Sequence, residues 1–250
     1  MEILGIDIGG SGIKASLVDT STGNLLTERY RIPTPDDTSP HKILARVHEV
    51  VKHYSWSGPI GITLPEPVRN GVVMSTYNID PSWLDADAAT LFEEITDCPV
   101  TVVNDADAAG IAEIRFGEGR NHNGLVIVLT VGTGIGSALF MNGVLVPNTE
   151  LGHIEINGIS ARVRASEKTR VEEGLKRSKW AKRLELVLSA YEKLFHPDLF
   201  IISGGLSNKA DKTFPYIDIK TPLVPARFLN NAGIVGAALC AEDQFNKKPD

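Results

Sequence analysis

Apolar residues along this chain recur with two different periods. Ile3 to Ile8 is a near-continuous apolar run, the pattern of a buried strand. After the turn Gly9-Gly10-Ser11-Gly12, Ile13 to Val18 reads as a second strand and Leu25 to Ile32 as a third. From His41 to Tyr54 the period changes, with Ile43, Leu44, Val47, Val50 and Val51 on one helical face. Ile60 to Thr63 is a short strand that stops before Pro65 and Pro67. Beyond it the pattern predicts a helix over Ala88 to Ile95, a strand over Val100 to Val103 and a helix over Ala106 to Phe116.

The opening pattern then returns. Leu125 to Val131 is an apolar strand, Gly132-Thr133-Gly134-Ile135-Gly136 is a turn, and Ser137 to Phe140 is the next strand. Leu4 to Ile13 resembles Val128 to Gly136, and such self-similarity marks a duplicated unit. The repeat spans about half the chain, which suggests two related domains rather than a solenoid. Trp180 to Leu194 reads as a long helix, Asp198 to Ile202 as a strand and Ala232 to Ala241 as a closing helix. Strands alternating with helices imply an α/β protein. The expected domains are 1–115 and 116–250, with the last helix packing back on the first.

Composition narrows the function more than the fold. Of 250 residues, 42% are hydrophobic and 22% charged, as in ordinary soluble proteins. A net charge of -6 argues against nucleic acid as the main partner, while leaving room for a local basic patch. Cys98 and Cys240 form no C-x-x-C pair, so a disulfide framework and a Cys-rich zinc site both lack support. That usage fits a reducing compartment, and the expected location is the cytoplasm. The first residues lack the layout of a signal peptide, and no apolar run approaches the ~18 residues a membrane helix needs.

Several segments carry candidate chemistry. Glycine turns expose backbone N–H groups and admit an oxyanion closely. Two at matching places in duplicated halves could hold one phosphate chain. Asp7 ends a buried strand, where a carboxylate either binds Mg²⁺ or phosphate machinery or simply hydrogen-bonds the turn. At Asn104-Asp105 an apolar strand gives way to a helix. A carboxylate there either accepts a hydroxyl proton during phosphoryl transfer or caps the helix. Glu150 and His153 share a face if helical and offer a sugar both an acceptor and a donor; the alternative is a solvated helix start. Ser203-Gly204-Gly205 suits phosphate or adenosine, or is a plain strand-to-helix connection. Arg162 to Arg183 is rich in Arg and Lys, either a solvated face or a guide for a long polyanion, with Arg177, Lys179 and Lys182 as candidates.

Asp7-Ile8-Gly9-Gly10, Gly132 to Gly136 and Ser203-Gly204-Gly205 resemble the phosphate and adenosine motifs of the actin and hexokinase superfamily. Within it, Glu150-Leu151-Gly152-His153 resembles the ROK sugar kinases. The polyphosphate-using glucokinases of that family are resembled by six segments along nearly the whole chain. They are Gly9 to Lys14, Asn104 to Gly110, Val146 to His153, Pro197 to Ile201, Lys209 to Lys212 and Asn231 to Gly236.

The resemblance implies two duplicated ribonuclease H-like domains with a central cleft. It implies phosphoryl transfer from inorganic polyphosphate, ATP or both to the 6-hydroxyl of glucose or a close hexose such as mannose. Asp105 would be the catalytic base. Thr63, Asn78, Asn104, Asp105, Glu150 and His153 would contact the sugar. Asp7, Gly9, Gly10, Ser11, Lys14, Thr133, Gly134, Gly204 and Gly205 would face the donor, with Asp7 holding Mg²⁺ directly or through water. The implied assembly is a cytoplasmic homodimer without nucleic-acid or membrane partners. Alternatives are an ATP-only ROK hexokinase and a non-catalytic sugar-binding regulator. Regulators of the family carry an N-terminal helix-turn-helix, for which the strand beginning almost at Met1 leaves no room.

Three departures stand out. The Cys-rich zinc motif of many ROK kinases is missing, as it is in the polyphosphate-using branch. Glu66 stands where the family usually has Gly after Pro65. The segment after Gly158, usually acidic, is basic here at Arg162 and Arg164.

Overall fold

A computed structural model of the protein describes residues 1–246. In chain order the first elements are β1 (Glu2–Gly9), β2 (Gly12–Asp19), β3 (Asn24–Leu25), β4 (Tyr30–Ile32), α1 (Pro40–Tyr54) and β5 (Ile60–Leu64). Next come β6 (Val68–Arg69), β7 (Val72–Val73), α2 (Ala88–Thr96), β8 (Val100–Asn104) and α3 (Asp105–Phe116). The middle of the chain forms β9 (Leu125–Val131), β10 (Ile135–Met141), β11 (Val144–Val146), β12 (Glu155–Ile156), β13 (Ile159–Ser160), α4 (Ala161–Ala165) and α5 (Glu167–Glu172). Last are α6 (Arg177–Phe195), β14 (Leu199–Ser203), β15 (Leu223–Pro225) and α7 (Ala232–Asn246).

These elements make two compact units: Met1–Ala112 with the segment from Gly233 onward, and Glu113–Ala232. The sequence places the boundary at residue 115, inside α3; the units part three residues earlier, and α7 belongs with the first.

Each unit holds one mixed sheet. The first runs β3-β2-β1-β5-β8, with β4 also on β2; the second runs β11-β10-β9-β14-β15. In the first, β1 and β2 are antiparallel, and β5 and β8 add in parallel. In the second, β9 and β10 are antiparallel, and β14 and β15 add in parallel. The two sheets therefore share strand order and strand sense. Their central strands are covered on both faces, which is why they read as unbroken apolar runs instead of alternating ones. Ile43, Val47, Val50 and Val51 of α1 cover the first sheet, and Trp180, Leu184, Val187 and Leu188 of α6 cover the second.

The helix α7 lies so close to the first sheet that side chains are not admitted. A Cβ at Gly5 or Gly61 would collide with the backbone carbonyls of Ile234 or Ala237, and one at Gly236 would collide with that of Ala108 in α3.

One predicted strand is corrected. Leu25 to Ile32 is not continuous: β3 and β4 pair with β2 at opposite ends. Between them Thr27 takes over the ladder, its Oγ1 accepting from the Leu17 amide at 3.2 Å and its carbonyl from the Ser16 hydroxyl at 3.0 Å. A side-chain bond has replaced a backbone one, and the chain swings out there.

Candidate active site

The strands β1, β5 and β8 are adjacent and parallel, so their carboxyl ends share one edge, where ligands of open α/β sheets collect. Asp7 is in register with Thr63, Thr63 with Val103 and Leu64 with Asn104. Two strand spacings put the Asp7 and Asn104 backbones about 10 Å apart. Asp105 is the next residue.

Asp7 is held from two sides. Lys14, opposite it on β2, places Nζ 2.9 Å from Oδ2. Thr63 donates its hydroxyl to Oδ1 at 3.0 Å and accepts the Ile8 amide at 3.2 Å. Thr63 has no exposed surface. The resemblance gives it a sugar contact; the structure shows its hydroxyl bonded to Asp7 and the Ile8 amide. Gly233, in the first turn of α7, leaves room for the Asp7 carboxylate, since a Cβ there would stand 2.9 Å from the carboxyl carbon. The carboxylate thus also faces the electropositive start of a helix.

The hairpin turn beyond Asp7 is flanked by a residue that the sequence did not single out. Arg31 of β4 donates to the Ser11 carbonyl at 2.8 Å and lies where a Gly12 side chain would be. Its signal was present but non-local: register places Arg31 opposite Lys14 across β2 and β4. Gly10 has open space around it, as an anion approaching the backbone requires.

At the end of β8 the structure gives the helix cap to one of the two candidates. Asn104 is buried and caps α3, its Oδ1 accepting from the amides of Ala106 at 2.9 Å and Asp107 at 3.0 Å. That capping uses the side-chain oxygen of a residue assigned to the sugar, and not its side-chain NH2. Asp105 opens the helix, half-buried, with Oδ1 2.8 Å from the Ala106 amide.

Glu66, a departure from the family pattern, is fully buried. Its Oε2 accepts from the Ser75 hydroxyl at 2.8 Å and its Oε1 from the Asn78 amide. The Asn78 side-chain amide in turn donates to the Pro65 carbonyl at 2.9 Å. One carboxylate thereby ties two loops together and fixes Asn78.

In the second unit, β9 and β14 also end side by side, with Ser203 in register with Thr130. The turn Gly132-Thr133-Gly134 follows β9, closed by a bond from the Gly132 amide to the Gly134 carbonyl at 3.0 Å. From β14 the chain enters a 3₁₀ segment, Gly204–Lys212, rather than an α-helix. Gly204 has φ 78° and packs on the Val131 backbone, so a side chain there is excluded on both counts.

Glu150 and His153 flank a single 3₁₀ turn, Leu151–His153, whose three-residue period eclipses positions three apart. Their Oε2 and Nε2 atoms are 3.7 Å apart. Arg162 of α4 places NH1 3.3 Å from His153 Nε2, and its guanidinium borders Gly134. It therefore touches both the pair assigned to the sugar and the turn assigned to the donor. Below them the Tyr191 hydroxyl donates to the Leu151 carbonyl at 2.8 Å, and Ser137 accepts the Leu151 amide at 3.0 Å. Burial pushes the Tyr191 phenol far above its ordinary range, so it stays a donor.

No group of three or more His, Cys, Asp or Glu side chains suited to a metal occurs among the described residues. Nor is any described helix long and apolar enough to cross a membrane.

A glycine turn beside a braced carboxylate, followed by a carboxylate at a helix start, is the arrangement of a phosphoryl-handling α/β protein. The model of the ROK family matches residues 3–174, and the chain belongs to that family. It is 48% identical over 238 residues to a polyphosphate glucokinase of Mycobacterium tuberculosis, covering 95% of this chain and 90% of that one. An inorganic polyphosphate/ATP-glucomannokinase from Arthrobacter sp. strain KM superposes with a TM-score of 0.95 at 45% identity, over 97% of this chain and 99% of that one. A ROK family glucokinase from Streptomyces griseus, solved with glucose and AMPPNP, has a TM-score of 0.83 at 24% identity over 97% and 100%, a likeness of fold.

Proposed function

We propose that the chain is a sugar kinase that transfers a phosphoryl group from inorganic polyphosphate or ATP to the 6-hydroxyl of glucose or mannose. What carries this reading is the near-full-length likeness, at 45–48% identity, to two relatives named for that chemistry. The matching strand order of the two sheets supports duplicated ribonuclease H-like halves within the actin and hexokinase superfamily.

In this reading Asp105 accepts the proton of the sugar hydroxyl as the phosphoryl group arrives. Asn104 stands behind it and fixes the helix start from which it projects. Asn78, Glu150 and His153 bind sugar hydroxyls. Backbone N–H groups of the two glycine turns, with Lys14 and Arg31, bind the donor phosphates.

Mg²⁺ fits the chemistry of Asp7. Such an ion takes one or two carboxylates, waters and substrate phosphates rather than an all-protein cage. Each Asp7 oxygen uses one acceptor site on Lys14 or Thr63 and keeps another. When bound, the ion would neutralise charge on the donor phosphates.

The test is purified protein with glucose or mannose, Mg²⁺ and either polyphosphate or ATP, with hexose 6-phosphate measured. Turnover with either donor is expected. Its absence with both, in protein that binds sugar, would overturn the assignment.

A further inference from the structure

Within the basic stretch after Gly158, three cations on the outer face are each matched by one carboxylate: Lys182 with Glu185 at 2.7 Å, Arg183 with Glu173 at 2.6 Å, Lys168 with Glu172 at 3.7 Å. Such exposed pairs are locally neutral and contribute little. Lys182, a candidate guide for a polyanion, is among them.

The inner side differs. Arg170 of α5, Arg177 at the start of α6 and Lys209 of the 3₁₀ segment all converge on Oε1 of Glu167, at 2.8, 3.6 and 3.9 Å. Three cations thus share one carboxylate. Glu167, Arg170 and Arg177 are mostly buried, with side-chain exposures of 18%, 20% and 20%. Yet Arg170 Nε, a buried donor, has no hydrogen-bond partner among the described residues. A partly desolvated cluster with surplus positive charge is unfavourable unless an anion completes it.

Its position says which anion. The Lys168 amide donates to the Gly132 carbonyl at 3.2 Å, so the cluster begins next to the glycine turn assigned to the donor. Lys209 lies on the segment that Gly204 opens against Val131. All of these groups lie in one unit.

We propose that Arg170, Arg177 and Lys209 form a distal site for inorganic polyphosphate, binding phosphate units remote from the one transferred. The proposal rests on the polyphosphate reading of the donor. A short donor ends before the cluster; a long one reaches it.

The experiment compares wild type, Lys209→Gln, Arg177→Gln and Glu167→Gln, with KM measured for long-chain polyphosphate, tripolyphosphate and ATP, and folding checked by melting temperature. Lys209 is 48% exposed and its substitution leaves the core untouched. In Lys209→Gln and Arg177→Gln, KM for long polyphosphate is expected to rise about tenfold relative to KM for ATP, the equivalent of losing one charged contact. Glu167→Gln raises the local charge and should shift the same ratio the other way. Wild type should show a KM that falls with chain length, and Lys209→Gln a flatter dependence. Equal shifts for all donors, or none, in folded variants would overturn the distal site and leave the donor reading standing. Wild type that turns over ATP but not polyphosphate would overturn both.

Discussion

The backbone amide of Asn78 donates to Oε1 of Glu66, a side chain with no exposed surface. A residue assigned to sugar binding is therefore positioned by a buried carboxylate twelve residues earlier. Glu66→Ala removes both acceptors, leaving the Asn78 amide and Ser75 hydroxyl unpaired, at about 1–3 kcal/mol each. A lower melting temperature and a roughly tenfold higher sugar KM are expected. Glu66→Gln keeps one acceptor and should fall between. A sugar KM unchanged in Glu66→Ala would separate the loop from sugar binding.

Asp105→Asn keeps size and polarity but cannot take a proton. Turnover should fall by at least ~10²-fold. Sugar affinity, followed by calorimetry, should be partly kept, since the Asn104 cap is untouched. Near-normal kcat would place the base elsewhere.

Thr63→Val preserves shape while removing the bond to Asp7 and the acceptor for the Ile8 amide. Stability should drop by about 1–3 kcal/mol for a buried hydrogen-bonding group lost. With Asp7 less constrained, the Mg²⁺ concentration giving half-maximal rate should rise, whereas a direct sugar contact would show itself in the sugar KM. Measuring both dependences tells the two roles apart.

Arg162→Ala releases His153 from the guanidinium 3.3 Å away. The expected outcome is a sugar KM raised about tenfold, in the range of a charged hydrogen bond. A change confined to the donor KM would assign Arg162 to the Gly134 side alone.

Much of this site was readable along the chain because it lies at the ends of apolar runs. Asp7, the two glycine turns and Asn104-Asp105 each interrupt an otherwise unbroken strand, and a polar residue there shows itself. What stayed hidden depends on distance in sequence. Thr63 meets Asp7 across 56 positions, and nothing in Gly61 to Pro65 announces it. Arg31 and Arg162 look like ordinary surface cations until register and close packing place them beside Gly12 and Gly134. Asn104 and Asp105 could not be told apart by type, since either can cap a helix; geometry gave the cap to Asn104. The repeated sheet shows the same limit from the other side. Counting back two residues from the last hairpin pair gives Asp7, Lys14 and Thr63 in one sheet but Leu129, Ser137 and Ile202 in the other. Equal topology carries the charged row only once.

The collision-free fit of α7 against Gly5 and Gly61, and of its own Gly236 against Ala108, bears on how the protein is made. Domains commonly fold as units while the chain is still being synthesised, the N-terminal one first. Here the first unit lacks its last helix until translation has passed residue 232, and the bare glycine strips on β1 and β5 stay uncovered meanwhile. The second unit is continuous in sequence and complete before that helix emerges. Birth order and completion order are thus reversed, and a ribosome stalled after the second unit has emerged but before α7 has would carry a finished second half attached to an unfinished first.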